Sequence, residues 1–189
     1  MIQKNNIALL LIDVQEGFND KYWGNRNNEQ AEENIAKLLK TFRELSLPVY
    51  HVQHLSKNSN SPLRMGSPGV EIMNFARPIF GERIFQKQVH SSFIGTNLEN
   101  VLRLNNIKML IVCGIAVDHC VSTTTRMASN LGFKVIVASD ATIAFERKGF
   151  DNTIFNASLV HSVTLASLHG EFATVQDTIS INSKLQTIV

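Results

Sequence analysis

"KMLIVCGIAVDHCVSTTTRMASNLGFKVIVASD", residues 108–140, is the stretch that decides the fold. It begins with a short apolar run at 108–114, which is typical of a parallel strand covered on both faces. A helical segment follows at 118–131 and ends before Gly132, a residue type that often closes a helix in the left-handed conformation. A second apolar run occupies 133–140. The stretch predicts a strand–helix–strand unit whose two strands lie parallel, joined by the helix.

The rest of the chain repeats this alternation of apolar runs and helical segments. Further strands are predicted at 6–14, 48–55, 82–87 and 172–177, and further helices at 29–45, 95–107 and 151–168. Thr96 and Glu99 have the spacing of a capping box at a helix start. The alternation predicts an α/β fold for the single domain 1–189. The predicted fold has three layers, α/β/α, with a parallel sheet of about six strands in the middle.

Composition narrows the classes of protein to consider. Of the 189 residues, 44% are hydrophobic and 18% are charged, and the charged share lies below the roughly 25% typical of soluble domains. We therefore expect surface to be buried between copies, in a homodimer or homotetramer. The net charge of +2 includes no basic run, which argues against nucleic acid as a partner.

The same composition bears on location. Two cysteines make no disulfide framework, and no run approaches the roughly 18 apolar residues of a membrane span. The N-terminal apolar run ends at a charge and lacks a small-residue cleavage site. We expect a soluble, cytoplasmic protein that binds a small molecule and no membrane.

Three reactive side chains follow the predicted strands. Asp13 closes the first strand, Lys87 closes the strand at 82–87, and Cys120 follows the strand at 108–114. Ligands of open parallel sheets bind beyond the carboxyl ends of the strands, so these side chains are expected to converge. A thiol, a carboxylate that takes and returns its proton, and a cation that stabilises the thiolate together suit acyl transfer.

The two cysteines differ in their surroundings. Cys113 lies within an apolar run and is expected to be a small buried hydrophobe. Cys120 falls in the first turn of a helix for which Asp118 is the expected N-cap. There, free N–H groups and the helix dipole favour a thiolate and can form an oxyanion hole. On position alone, a buried helix cysteine remains an equally good interpretation of Cys120.

These segments resemble the signature motifs of the isochorismatase-like cysteine hydrolases. The resemblance lies in Asp13 within LLLIDVQEGF, Lys87 within KQVHSSF and Cys120 within GIAVDHCVSTTTRMA, and it continues to the C-terminal LASLHGEFATVQDT. It implies the Rossmann-like fold of that family, with Asp13 as general base, Lys87 as charge partner and Cys120 as nucleophile. It also implies a cis peptide between Ile115 and Ala116, and an oxyanion hole formed by the Ala116 and Cys120 N–H groups.

The family contains nicotinamidases, N-carbamoylsarcosine amidases, streptothricin hydrolase and isochorismatases. The resemblance therefore implies a hydrolase of a small-molecule amide or related C–N bond, acting through a thioester on Cys120. Two alternatives stay open. One is an isochorismatase-type vinyl-ether hydrolase, which does not depend on a cysteine nucleophile. The other is a non-catalytic small-molecule-binding relative, although the glycine patterns of dinucleotide and P-loop sites are absent from the sequence.

Nicotinamidases hold a metal ion with an Asp-x-His motif at the end of the second strand. In VYHVQHLS the matching positions are Gln53 and Leu55, and leucine offers no ligand while glutamine is a poor substitute for a carboxylate. We expect no metal and no cofactor. A shifted metal site of His51, His54 and His90 is the alternative, disfavoured because strand residues three apart point to opposite faces.

Side chains near these motifs are candidates for the substrate pocket. The expected lining residues are Phe18, Trp23, His54, Phe93 and Ile115. The long Ser-, Asn- and Pro-rich segment at 56–69 is interpreted as a binding loop. His119 adjoins Cys120, but neighbouring residues of a helix do not face each other, so a papain-like Cys–His pair is not expected.

Overall fold

The computed structural model describes residues 6–187. Its strands are β1 (Ile7–Ile12), β2 (Val49–His54), β3 (Arg83–Lys87), β4 (Met109–Ile115), β5 (Lys134–Ile143), β6 (Arg147–Lys148), β7 (Ile154–Phe155) and β8 (Thr174–Gln176). Its α-helices are α1 (Ala31–Glu44), α2 (Leu98–Leu104), α3 (Ser122–Asn130), α4 (Ala157–Leu168) and α5 (Thr178–Thr187). The predicted α/β fold is confirmed.

Six of the strands form one parallel sheet in the order β3-β2-β1-β4-β5-β8. Strand β1 lies near the middle and is buried along its whole length. Its side chains alternate, because successive residues of a strand point to opposite faces. Leu9 and Leu11 face the core that α1 and α5 cover, whereas Leu10 and Ile12 face the core that α2, α3 and α4 cover. The sheet is therefore the middle one of three layers.

The strand registers bring the predicted reactive positions to one edge of the sheet. Ile12, just before Asp13, pairs with Gly114, and His54 pairs with Lys87. The carboxyl ends of β1, β2, β3 and β4 thus lie side by side. Among the described residues, no helix is long and apolar enough to cross a membrane.

The predicted helix at 151–168 was too long at its start. The chain first forms the antiparallel pair β6 and β7, joined by a turn in which the Gly149 N–H donates to the Thr153 carbonyl at 2.7 Å. Helix α4 begins only at Ala157, where the Asn156 side chain caps it by accepting from the Leu159 N–H at 2.9 Å. A cap with its own hydrogen bond therefore fixes the helix start.

The predicted capping box of α2 was also wrong. The Thr96 hydroxyl donates to the Ser92 carbonyl at 2.6 Å and accepts from the Leu98 N–H. Glu99 binds Arg103 one turn further along the helix. Because both side chains have other partners, α2 begins at Leu98 with Asn97 at the cap position and no side-chain cap.

Candidate active site

Asp13 and Lys87 form an ion pair that is shielded from solvent. Lys87 Nζ lies 2.6 Å from Asp13 Oδ2, and neither side chain is exposed. Burial lowers the pKa of Lys87, but the Asp13 carboxylate and the Cys120 sulfur outweigh it and hold that pKa above its ordinary value. Lys87 is therefore an ammonium ion. The second carboxylate oxygen, Asp13 Oδ1, is buried and accepts no hydrogen bond from any described residue.

The Lys87 ammonium has a second hydrogen-bond partner. His54 Nδ1 lies 3.1 Å from Lys87 Nζ. Asp13, His54 and Cys120 each offer one donor atom, and these three atoms lie within 4.8 Å of one another. Such a cluster is close enough to share one cation, and the cation in its midst is the ammonium of Lys87.

Cys120 lies in a π turn, Val117–Val121, that precedes α3. Single π turns within helices are frequent at functional sites. The cysteine is 6% exposed, and its Sγ lies 3.5 Å from His90 Nδ1. Burial, followed by the neighbouring Asp13 carboxylate, raises the pKa of the Cys120 thiol, while Lys87 opposes both. This upward direction is opposite to the one expected from the helix start, so the Cys120 thiol needs a base to become a nucleophile.

Asp118 does not cap the helix as expected. Ala116 occupies the cap position, without a side-chain hydrogen bond. The Asp118 carboxylate instead accepts from Arg147 Nε at 2.6 Å and from its Nη2 at 3.2 Å. This ion pair ties the π turn to the β6–β7 hairpin.

The backbone between β4 and the π turn has a conformation suited to presenting N–H groups. Gly114 has φ of +126°, and a Cβ there would lie 2.0 Å from the Ile12 carbonyl oxygen, so β1 leaves no room for a side chain. The Ile115–Ala116 peptide is cis. Within residues 6–187, no protein group accepts a hydrogen bond from the Ala116 N–H. The Ala116 amide therefore remains available to a ligand beside Cys120.

A cavity of about 230 Å³ opens above these groups. Asp13, Ala116 and Cys120 form its polar floor. Aromatic rings, histidines and residues of the predicted binding loop surround them: Phe18, Tyr22, Trp23, His54, His90, His119, Ser56, Asn58, Ser61 and Leu63. The cavity is sized for a small molecule and has one wall of flat rings.

Two of the five expected pocket residues lie elsewhere. Phe93 stacks on Phe133 at 6.1 Å between ring centroids, on the α2 side of the sheet. Ile115 is fully buried in the core beneath α1, because its side chain continues the alternation of β4. The structure places Phe18, Trp23 and His54 on the cavity wall.

Sequence reasoning missed the cavity positions of Tyr22, His90 and His119. His90 was considered only as a metal ligand, although it follows Lys87 by three residues and the chain turns there towards Cys120. Ideal-helix geometry predicts that His119 does not face Cys120. In the wider π turn, His119 instead lies on the cavity wall beside His90, with ring centroids 5.6 Å apart.

The two residues that match the metal-binding motif of nicotinamidases, Gln53 and Leu55, do not fit a metal ion. Gln53 donates through Nε2 to the Val70 carbonyl at 2.7 Å and accepts through Oε1 from Gln86 at 2.8 Å, so both ends of its amide have a protein partner. Leu55 has no ligand atom. The shifted alternative is not assembled either, because His51 Nε2 binds Glu82 at 2.8 Å on the other face of β2.

Comparison with known proteins finds matches to a family model, to related sequences and to a solved structure. The isochorismatase domain model matches residues 7–178. The chain is 46% identical over 171 residues to the uncharacterized isochorismatase family protein YrdC of Bacillus subtilis, covering 90% of this chain and 91% of that protein. It is 26% identical over 162 residues to Nicotinamidase 3 of Arabidopsis thaliana, covering 79% of each. A crystal structure of an isochorismatase-family protein from Chromobacterium violaceum superposes with a TM-score of 0.94 and 38% identity, covering 99% and 97% of the two chains.

Proposed function

Because this chain belongs to the isochorismatase family, whose members are hydrolases that include amidases, we propose that it hydrolyses a small-molecule amide or related C–N bond. The bond is cleaved through a thioester on Cys120. The observation that carries this proposal is the Asp13 carboxylate, which has an oxygen within 4.8 Å of the Cys120 sulfur. Lys87 holds its Oδ2, while its buried Oδ1 has no hydrogen-bond partner among the described residues.

The first step is nucleophilic attack. Asp13 Oδ1 takes the thiol proton as Cys120 Sγ forms a bond to the substrate carbonyl carbon. Lys87 stays protonated and limits the negative charge that builds up around sulfur and carboxyl group. His90, 3.5 Å from Sγ, lies where a ring N–H can donate to the developing thiolate.

The second step is loss of the amine. The carbonyl oxygen carries negative charge in the tetrahedral intermediate, and the N–H groups of Ala116 and Cys120 are the proposed donors to it. As the C–N bond breaks, Asp13 returns its proton to the departing nitrogen. A thioester on Cys120 and a free amine result.

Hydrolysis of the thioester completes the cycle. Asp13 removes a proton from water as the water oxygen attacks the thioester carbonyl, and the proton then passes to the departing Cys120 sulfur. The carboxylic acid product leaves and the thiol is restored. Since Gln53 and Leu55 do not fit a metal ion, the chain's own side chains carry each step.

A substrate screen with paired cysteine variants tests the proposal. Small amides, carbamoyl compounds, lactams and a vinyl ether are incubated with the wild type, Cys120→Ala and Cys113→Ala, and product is measured by mass spectrometry. Cys113 is fully buried in the core, so its variant controls for loss of a cysteine. We expect C–N hydrolysis by the wild type and Cys113→Ala, and none by Cys120→Ala. Full turnover by Cys120→Ala would overturn the thioester, and hydrolysis of the vinyl ether alone would favour the isochorismatase-type reaction.

A further inference from the structure

We propose that His54 is a positioning residue of this site, whose neutral imidazole accepts a hydrogen bond from Lys87 and fixes the ammonium between Asp13 and Cys120. The inference rests on the proposed function, in which Cys120 is the nucleophile. It gives His54 a role beyond lining the cavity. The proposed role also explains why a histidine, rather than a side chain without an acceptor, lies next to the Lys87 ammonium.

The direction of the hydrogen bond follows from the chemistry of its two ends. A lysine ammonium has three donors and no acceptor, so at 3.1 Å the His54 Nδ1 must be the acceptor. The ring proton is then on Nε2. The contact with Lys87 therefore specifies one neutral tautomer of His54.

The backbone of His54 is held from two sides. Gln15, which is fully buried and two residues beyond Asp13, clamps it with two hydrogen bonds. Its Nε2 donates to the His54 carbonyl at 3.0 Å, and its Oε1 accepts from the His54 N–H at 2.8 Å. On the other side, the Leu55 N–H donates to the Lys87 carbonyl at 2.8 Å. His54 is thus fixed relative to both members of the ion pair.

Charges from several elements act on the His54 ring. Asp13 at the end of β1, Lys87 on β3, His90 in the following loop and Cys120 in the π turn all lie around it. Burial, then the charges of Lys87 and His90, lower the pKa of His54, and Asp13 only partly opposes them. The imidazole therefore stays neutral at neutral pH and able to accept from the ammonium.

The consequence for catalysis passes through Lys87. With one N–H on Asp13 and a second on His54, the ammonium cannot rotate away, and its charge stays near the sulfur. Lys87 is the group that lowers the pKa of Cys120 against the effects of burial and of Asp13. Loss of the His54 acceptor is therefore expected to make the Cys120 thiolate harder to form.

Alkylation of Cys120 by iodoacetamide tests the positioning role of His54 and needs no amide substrate. Its rate is measured by mass spectrometry of the Cys120 peptide, from about pH 6 to 9, in the wild type, His54→Leu and His54→Asn. Asn places Oδ1 where the imidazole has Nδ1, whereas Leu has a similar shape and no acceptor. We expect His54→Leu to react about tenfold more slowly than the wild type across this pH range, as for loss of a buried hydrogen-bond partner. His54→Asn should stay within about threefold of the wild type, since it retains the acceptor.

Two results would overturn the positioning role. One is a His54→Leu protein that is folded and alkylates at the wild-type rate across this pH range. The other is a His54→Asn protein that is as slow as His54→Leu, since rescue by an acceptor is the signature of the proposed contact.

A measurement on the wild type covers the case in which a variant fails to fold. The ¹⁵N chemical shifts of the His54 ring should show protonated Nε2 and unprotonated Nδ1 at neutral pH. The opposite tautomer, or an imidazolium, would contradict the proposal. Neither experiment requires turnover, so a failed substrate screen and a failed His54 test are separate outcomes.

Discussion

The Asp13 carboxylate and the Lys87 ammonium meet at 2.6 Å across the end of β2, and both side chains are shielded from solvent. The pair joins the carboxyl ends of β1 and β3, on either side of β2 in the sheet. Two charges taken out of water keep each other ionised only while both are present. Removal of one member alone is therefore expected to destabilise this edge as well as to stop the proposed chemistry.

The first prediction concerns this pair. Asp13→Asn should abolish turnover and lower the free energy of unfolding by about 3–5 kcal/mol, because it leaves a buried ammonium without its counter-charge. Asn is the suitable replacement, since Asp13 has φ of +53° and Asn tolerates that region. Urea unfolding measures the loss. In the double variant with Lys87→Met, part of the lost stability should return. Strictly additive losses in this double-mutant cycle would contradict the coupling.

The second prediction concerns the glycine beside the nucleophile turn. Gly114→Ala should lower the free energy of unfolding by more than about 4 kcal/mol, because the new methyl group meets the Ile12 backbone carbonyl at 2.0 Å. Gly132→Ala is the matched control. Gly132 also has positive φ, +86°, but nothing lies within 4 Å of its would-be Cβ, so only about 1–2 kcal/mol is expected. Equal losses in thermal or urea unfolding would show that the contact with β1 is unimportant.

The third prediction is acid sensitivity of the fold. Burial lowers the pKa of His51, His54 and His161 below the ordinary value of 6.5. The unfolded chain therefore binds more protons than the folded one as pH falls through 6.5, so stability is lost on acidification towards the folded-state pKa values. The urea midpoint should be lower at about pH 5.5 than at about pH 7.5. His51→Asn should reduce this difference, and an unchanged midpoint in the wild type would refute the account.

The fourth prediction separates two histidines of the cavity wall, His90 and His119. His90→Ala should slow iodoacetamide alkylation of Cys120 by about threefold, the effect of losing one modest hydrogen bond, because His90 Nδ1 contacts Sγ. His119→Ala is the control, since its ring adjoins His90 and its imidazole pairs with Asp118. Equal rates in the two variants would argue against the contact between His90 and sulfur.

The fold could be predicted because its signals are local. The apolar run of β1, the amphipathic pattern of α1 and the alternation of strands and helices each lie within a dozen residues. Parallel strands end at a common edge, so the proximity of Asp13, Lys87 and Cys120 followed from their positions after strands. The isochorismatase resemblance read from those three motifs is confirmed by the match over residues 7–178.

The features that could not be predicted from the sequence depend on tertiary contacts, which leave no local sequence pattern. The strands β6 and β7 have two residues each and leave no period in the sequence. The π turn alters which side chains beside Cys120 face the cavity, so ideal-helix geometry misplaced His119. The raised pKa of Cys120 reflects burial and the nearby Asp13, whereas the sequence showed only a helix start. Phe93 was misplaced because the chain turns towards α2 just after His90.

The most direct test of the central claim is detection of the covalent intermediate. A C–N substrate found in the screen is mixed with the enzyme, the reaction is quenched with acid at short times, and the intact protein and its peptides are weighed. The proposed mechanism predicts an added mass equal to the acyl group, located on the Cys120 peptide and absent from Cys120→Ala. Turnover without any adduct on that peptide, at the same rate in Cys120→Ala, would contradict it.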